Sequence, residues 1–311
     1  MRISPEMQSV WTQYWKSGHA ESLPKDQAAG RLMELDSVWR KFLSEIPDGA
    51  RLLDLATGGG DIIRKAITLG RHFNFTGVDI ADLSTVRSAL QNSGIVLVGN
   101  TDLSSLPFSD AAFDGVTSQF GLEYADVAAA TREAIRVLAP GGRGQFVLHH
   151  VDSAITQNDS KSLAAYHSVF ADSNAFQLGR KIFELHQCDS PHAAILKAQT
   201  DFQSAVGTLQ SRLRSEPAFG QAHKVVAFLA GMPRSPGFHP ATEVLRKIED
   251  AEKQIQAVNL RKLAQIEAAL DGNGIDNIAE LLAGAGAIVD TPLELKSPEG
   301  ELIAWSLSFY K

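Results

Sequence analysis

The chain carries one cysteine, Cys188, so no disulfide can close within it. That suits a reducing compartment. Its opening stretch, MRISPEMQSVWTQYW, also lacks the apolar run of a signal peptide, and the two together predict a cytoplasmic protein. No apolar run approaches the ~20 residues that cross a bilayer, so no membrane span is expected. No run of five basic residues occurs and the formal net charge is −7, which argues against nonspecific nucleic-acid binding. Ligand-type side chains gather at His149, His150 and Asp152, and at His186, Cys188, Asp189 and His192, but neither group has a metal-site spacing. No metal is expected. No internal repeat or low-complexity tract is present. What remains is an ordinary globular composition, 44% hydrophobic and 21% charged over 311 residues.

Four regions follow from the patterning. Residues 1–46 read as two helices: one with Trp11, Tyr14 and Trp15 on an aromatic face, and one over 26–46 with Leu32, Leu35, Val38, Trp39, Phe42 and Ile46 on one side. Residues 47–151 alternate short apolar runs with helical segments. Strands are expected at 51–55, 74–79, 95–98, 113–118 and 144–149, with helices at 60–69, 82–91 and 125–138. Such alternation predicts a parallel sheet covered on both faces. Residues 152–274 hold little strand pattern, and helices are expected at 159–186, 192–213, 219–231 and 239–270. In the last of these Leu245, Ile248, Ile255, Val258, Leu263, Ile266 and Leu270 recur at near-heptad spacing. That stripe suits a helix packing on its own domain or pairing with a second subunit. Residues 275–311 read as a helix at 276–284 and a β-hairpin, 287–295 with 301–310, that completes the sheet.

The stretch LLDLATGGGD, residues 52–61, carries the chemistry. An apolar strand ends in Asp54, and Gly58, Gly59 and Gly60 form a tight turn into a helix. Bare backbone there can approach a ligand, and the helix's free N–H groups open onto the same spot. A phosphate-binding loop would need Lys followed by Ser or Thr after the glycines, and Asp61-Ile62 stands there instead. Asp54 suits a ligand bearing an ammonium group better than one bearing a pyrophosphate. Asp79 closes the second strand 19 positions after Gly60, near the ~20-residue spacing of an acid that reaches a ribose.

Together these residues resemble the class I S-adenosylmethionine-dependent methyltransferases of small-molecule type. The matching elements are Asp54 with Ala56, Gly58 and Gly60; then Asp79-Ile80; then Asp102-Leu103. The segment DLSSLPFSDAAFDGV, 102–116, is similar to the family's loop into its fourth strand, and RVLAPGGRGQFVL, 136–148, to its turn into the fifth. The elements keep the family's order over about a hundred residues. The resemblance implies a Rossmann-like α/β fold: a seven-stranded, mostly parallel sheet with helices on both faces, and here a large helical insertion after the fifth strand. It implies S-adenosyl-L-methionine as cofactor. Asp54 would orient the methionine amino group, and Ala56, Gly58 and Gly60 would let the loop approach. Asp79 would accept from the ribose hydroxyls, Ile80 would pack on the adenine, and Asp102 and the Leu103 N–H would bond it. Ser118 or Gln119 would offer a carbonyl to the ammonium. The N-terminal helices would form a lid with Tyr14 over the methionine end. Ala56 departs from the family, which usually has glycine there.

The transfer itself needs alignment and desolvation more than protein chemistry. A base is needed where the acceptor must lose a proton. His149 and His150 end the fifth strand, where such sheets open onto ligands, and at most one of them faces the site. Glu123 and Tyr124 are placed to face the substrate. Metal-dependent catechol-type relatives put an acid where this chain has Ser118-Gln119, and nucleic-acid amino-methylating relatives have an Asn/Asp-Pro-Pro-aromatic motif absent here. The expected reaction is methyl transfer to an oxygen or nitrogen of a small-molecule or carrier-bound substrate. The insertion is expected to roof the substrate pocket or to form a homodimer. Two other readings remain: an aminopropyl-type transferase, and a non-catalytic S-adenosylmethionine-binding regulatory or assembly protein.

Overall fold

The computed structural model describes residues 4–18, 31–90, 94–215, 221–233, 235, 237 and 240–311. The expected helical residues 26–30, 91, 219–220 and 239 lie outside that set. The chain divides into two compact units, one of Met1–Gln157 with Ala264–Lys311 and one of Asn158–Leu263.

The first unit is built on a sheet with strands β1 (Arg51–Leu55), β2 (Asn74–Val78), β3 (Ile95–Val98), β4 (Phe113–Gln119), β5 (Leu138–Leu148), β6 (Ile288–Val289), β7 (Leu293–Lys296) and β8 (Leu302–Tyr310). Their order is β3-β2-β1-β4-β5-β8-β6, with β7 also pairing β8. Strands β1 to β5 run parallel, and β8 is antiparallel to its three neighbours. The order reverses between β1 and β4. In open α/β sheets that crevice, at the strands' carboxyl ends, is where ligands bind.

Alternation along the strands builds two cores. Leu52 packs on one face with Trp39, Ile62 and Val147; Leu53 and Leu55 pack on the other with Val116, Ile135 and Leu282. Helices α1 (Pro5–Lys16), α2 (Arg31–Ser44), α3 (Asp61–Thr68) and α4 (Ser84–Ala89) send residues to the first core. Helices α5 (Val127–Val137) and α11 (Gly272–Gly284) pack together on the second. Ser4 caps α1 by accepting from the Met7 N–H, and Asp126 caps α5 from the Ala129 N–H.

The described sheet has eight strands, one more than expected. The stretch expected as one strand over 287–295 breaks into β6 and β7 at Asp290-Thr291-Pro292. Proline has no N–H for a ladder, and the Asp290 N–H turns to the Ser308 carbonyl at 3.0 Å. Strand β5 begins at Leu138, six residues before its expected start, with a register shift opposite Phe113 and Gly115.

The second unit is helical. Helices α6 (Ala154–Phe170) and α10 (Ala241–Ala268) enter and leave it, and α7 (Ala175–Gln187), α8 (His192–Leu213) and α9 (Gln221–Gly231) lie within it. The helix expected over 159–186 is two helices. It breaks at Asp172, whose φ of +54° is left-handed, and the Arg212 guanidinium donates to the carbonyls of Val169 and Ala171 at the end of α6. Val244, Ile248 and Ile255 of α10 pack into this unit's own core with Phe183, Phe202 and Leu229, while Leu263 is exposed. Among the described residues, no helix is long and apolar enough to cross a membrane.

Candidate functional site

The turn after β1 takes its shape from left-handed backbone. Gly58 and Gly60 have φ of +51° and +80°, a region glycine enters freely. A Cβ on Gly58 would meet the Trp15 ring at 2.3 Å, so that loop lies directly under an aromatic side chain. Ala56, where the family usually has glycine, is left-handed too, at φ +53°. Its methyl is wedged so closely that a Cβ on Gly121 would stand 2.3 Å from it. Gly121→Ala is therefore expected to destabilise the first unit by about 1–3 kcal/mol, since neither backbone can yield. Thermal unfolding of the purified variant measures this.

Three carboxylates converge on the turn. Asp54, 2% exposed, accepts from the Thr57 hydroxyl at 2.6 Å and the Thr117 hydroxyl at 2.9 Å. Asp79, 4% exposed, accepts from the N–H groups of Gly58 and Ala81, both at 2.8 Å. The ribose acid of the expected pattern thus also ties the glycine loop to β2. Burial pushes the Asp54 carboxyl up to about 7, further raised by the charges of Asp61 and Asp79 and held back by the two threonines. Burial likewise raises Asp79 to about 6, against its two backbone donors. Asp61 is paired: Lys65 lies 3.2 Å away and the Gln119 amide donates to it at 2.7 Å. The Gln119 amide oxygen in turn accepts from the Trp39 indole N–H.

A cavity opens above this floor. Asp54, Ala56, Thr57, Asp61 and Ile62 line its loop side. Trp11 and Trp15 line it from α1, Gln119, Phe120 and Tyr124 from the end of β4 and the turn after it, and His149 and Gln265 line the rest. Helix α1 is held over the site by polar ties: Gln8 donates to the Ile80 carbonyl and to Asn100, the Thr12 hydroxyl accepts from the Asp82 N–H, and Lys16 pairs with Asp82 at 2.8 Å. Trp11 stacks on Trp15 and meets Tyr124 edge-on at 5.6 Å.

The structure separates the expected site residues. Asp54, Ala56, Gln119, Tyr124 and His149 line the cavity; Gly58, Gly60 and Asp79 shape the turn beneath it. Tyr14 does not line it. Its ring sits edge-on to Trp15, and the neighbouring tryptophans take the inward face. Ser118 is fully buried, its hydroxyl donating to the Leu55 carbonyl and accepting from the Leu122 N–H. Ile80, Asp102 and Leu103 lie on the β2 and β3 side, outside the cavity lining. Asp102 accepts from the N–H and hydroxyl of Ser104, and Leu103 packs into the second core.

His149 and His150 point to opposite faces, as strand alternation requires. His150 is turned away from the cavity: it stacks on Trp305 at 4.5 Å, and its Nδ1 accepts from the Asp152 N–H. Of the two histidines, His149 lines the cavity and His150 does not. His149 stacks on Phe120 at 4.3 Å, and burial pushes its imidazole down to about 3, so it is neutral at physiological pH. Glu123 lies outside the cavity lining. It is buried behind His149, accepting that residue's backbone N–H at 2.9 Å, and burial raises it to about 7. Trp11, Trp15, Thr57, Thr117 and Gln265 were not expected in the site. The tryptophans were visible as a helix face, but nothing in the sequence marks Gln265.

Two buried carboxylates raised by desolvation, whose hydrogen bonds come from hydroxyls and backbone N–H groups, fit a ligand that brings an ammonium and hydroxyl donors. A glycine turn that passes closely beneath them fits a nucleoside. These features and the strand order fit a class I S-adenosylmethionine-dependent methyltransferase domain, a family to which this chain is similar and whose cofactor is S-adenosylmethionine. The family model described as a methyltransferase domain matches residues 53–154. A demethylmenaquinone methyltransferase of Thermus thermophilus is 36% identical over 135 residues, covering 40% of this chain and 60% of that protein. A ubiquinone/menaquinone biosynthesis C-methyltransferase, UbiE, of Serratia proteamaculans is 34% identical over 160 residues, covering 48% and 59%. A solved S-adenosylmethionine-dependent methyltransferase from Mesorhizobium loti shares 29% identity over 38% of this chain and 53% of its own, with a TM-score of 0.33. The chain thus spans about three fifths of the length of these curated relatives. The second unit lies beyond the stretch matched by the family model.

Proposed function

We propose that the chain transfers the methyl group of S-adenosylmethionine to a hydroxylated aromatic ring of a small molecule. The observation that carries this reading is His149, a neutral imidazole in a cavity walled by Trp11, Phe120 and Tyr124 beside the glycine turn. Flat aromatic walls favour a planar acceptor. A neutral imidazole can accept a hydrogen bond from a ring hydroxyl and orient it. The UbiE relative is named a C-methyltransferase of ubiquinone/menaquinone biosynthesis. This reading therefore moves the acceptor from oxygen or nitrogen to a ring carbon activated by a neighbouring hydroxyl, where the new C–CH3 bond replaces a C–H bond whose proton passes to solvent and the donor leaves as S-adenosylhomocysteine.

S-adenosylmethionine, when bound, supplies a methyl group already activated on a sulfonium. The chain's residues supply the rest. Asp54, fixed by Thr57 and Thr117, attracts the ammonium; Asp79 accepts from the ribose hydroxyls with the lone pairs its backbone donors leave free. Trp11 and Trp15 exclude water, which strengthens each of these contacts. His149 holds the acceptor hydroxyl.

The test is an extract incubated with the purified chain and methyl-labelled S-adenosylmethionine, followed by identification of the labelled product. A label on a ring carbon supports the reading. A label on oxygen or nitrogen alone overturns the acceptor assignment. Tight binding of S-adenosylhomocysteine with no labelled product favours a binding-only protein. Tighter binding of decarboxylated S-adenosylmethionine than of the carboxylated form would favour aminopropyl transfer.

A further inference from the structure

Two residues that line the cavity carry buried polar atoms that the protein leaves without partners. One is the side-chain amide of Gln265, whose Nε2 is buried and makes no hydrogen bond. The other is Nδ1 of His149, in a side chain 2% exposed. Folded proteins rarely keep such groups unpaired, and where they do the group often has a ligand to meet. Both lie in the first unit, Gln265 on the last turns of α10 after that helix leaves the second unit.

Backbone bonds fix the two relative to each other. The Leu270 N–H donates to the His149 carbonyl at 2.9 Å, and the Val151 N–H donates to the Leu270 carbonyl at 3.0 Å. The Trp305 indole N–H reaches that same carbonyl at 3.0 Å, and the Ala269 N–H bonds back to the Gln265 carbonyl at 3.0 Å. The end of α10 is thus stitched to the end of β5, which fixes the backbone that carries Gln265 against the backbone that carries His149. One group can donate and the other can accept, which is what a hydroxyl requires.

Resting on the reading that a methyl acceptor occupies this cavity, we propose that Gln265 determines acceptor specificity. Its amide N–H bonds the hydroxyl oxygen of an aromatic ring whose O–H donates to His149. The ligand class is a phenol or hydroquinone, with Trp11, Phe120 and Tyr124 against the ring. A ring without the hydroxyl leaves both protein groups unpaired and is rejected for that reason.

Calorimetry on the full chain saturated with S-adenosylhomocysteine tests this, with 2-naphthol and 2-methylnaphthalene as probes. Wild type is expected to favour 2-naphthol by about tenfold or more, the worth of a well-made buried hydrogen bond. In Gln265→Leu the preference should fall to about threefold or less, with S-adenosylhomocysteine affinity unchanged. Removing an unpaired buried amide should also raise the melting temperature of the ligand-free variant by about 2–4 °C. An undiminished preference for 2-naphthol in Gln265→Leu overturns the proposal. So does a large loss of S-adenosylhomocysteine affinity, which would make the amide a donor-binding group. The underlying reading fails in a different way: wild type would not bind S-adenosylhomocysteine, or 2-naphthol would compete with it instead of joining it.

Discussion

Asp79→Ala is expected to weaken S-adenosylmethionine binding by about 100-fold, or ~2.7 kcal/mol. Two losses add. The ribose hydroxyls lose a charged acceptor, a bond typically worth about 1.5–3 kcal/mol. The N–H groups of Gly58 and Ala81, each now 2.8 Å from a carboxylate oxygen, lose their partner, and the glycine turn loses its tie to β2. Asp79→Asn separates the two. It keeps the shape but turns an amide NH2 toward one of those backbone donors, so it should bind nearly as poorly while unfolding at a temperature closer to wild type. Calorimetry with S-adenosylhomocysteine and a melting curve for each variant measure both effects. Equal affinity in wild type and both variants would remove Asp79 from the cofactor site.

The turn around Asp79 was legible because local chemistry dictates it. An apolar strand, an acid and a glycine cluster each have a local reason to be where they are, and the 19-residue step from Gly60 to Asp79 is one helix, α3, and one strand, β2. The helix over α1 was legible too, but its inward face was not. Tyr14 and Trp15 are neighbours on one helix, and which of them meets Gly58 depends on the ties of Gln8, Thr12 and Lys16 to residues 66 to 72 positions away. The histidine pair shows the same limit. Alternation requires that one ring face the cavity, but the choice falls on His149 because Trp305 of β8 takes the other face. Pro292 could have announced the break between β6 and β7, since its missing N–H is a local fact. Gln265 could not be found locally. It reaches the cavity only because α10 ends where Leu270 docks on β5, more than a hundred residues away along the chain.

The buried acids make stability and cofactor affinity respond to pH in opposite directions. Asp54, Asp79 and Glu123 are all raised, to about 7, 6 and 7. A raised acid favours the folded state while protonated. Its contribution is complete below the ordinary carboxylate range near 4 and is lost as pH rises through the folded value. His149, lowered to about 3, acts the other way. Its contribution is complete above the ordinary imidazole value near 6.5 and is lost as pH falls toward 3. Three acids outweigh one histidine between about pH 5 and 6.5, and above that only the acids still titrate. The ligand-free chain should therefore lose on the order of a few kcal/mol of stability between pH 5 and pH 8. Binding should run the opposite way, because an ammonium and ribose hydroxyls need ionised carboxylates. At pH 5 a proton must leave Asp54 about two units, and Asp79 about one unit, below their free values. Affinity for S-adenosylhomocysteine should thus be about 100- to 1,000-fold weaker at pH 5 than at pH 8. Melting curves across that range, with and without ligand, should show a falling baseline and a widening ligand shift. Asp54→Asn should bind more weakly at pH 8 and flatten the pH profile. A ligand-free melting temperature that rises from pH 5 to pH 8 would mean that Asp54 and Asp79 are ionised in the free protein, and the electrostatic basis of the site would fall with it.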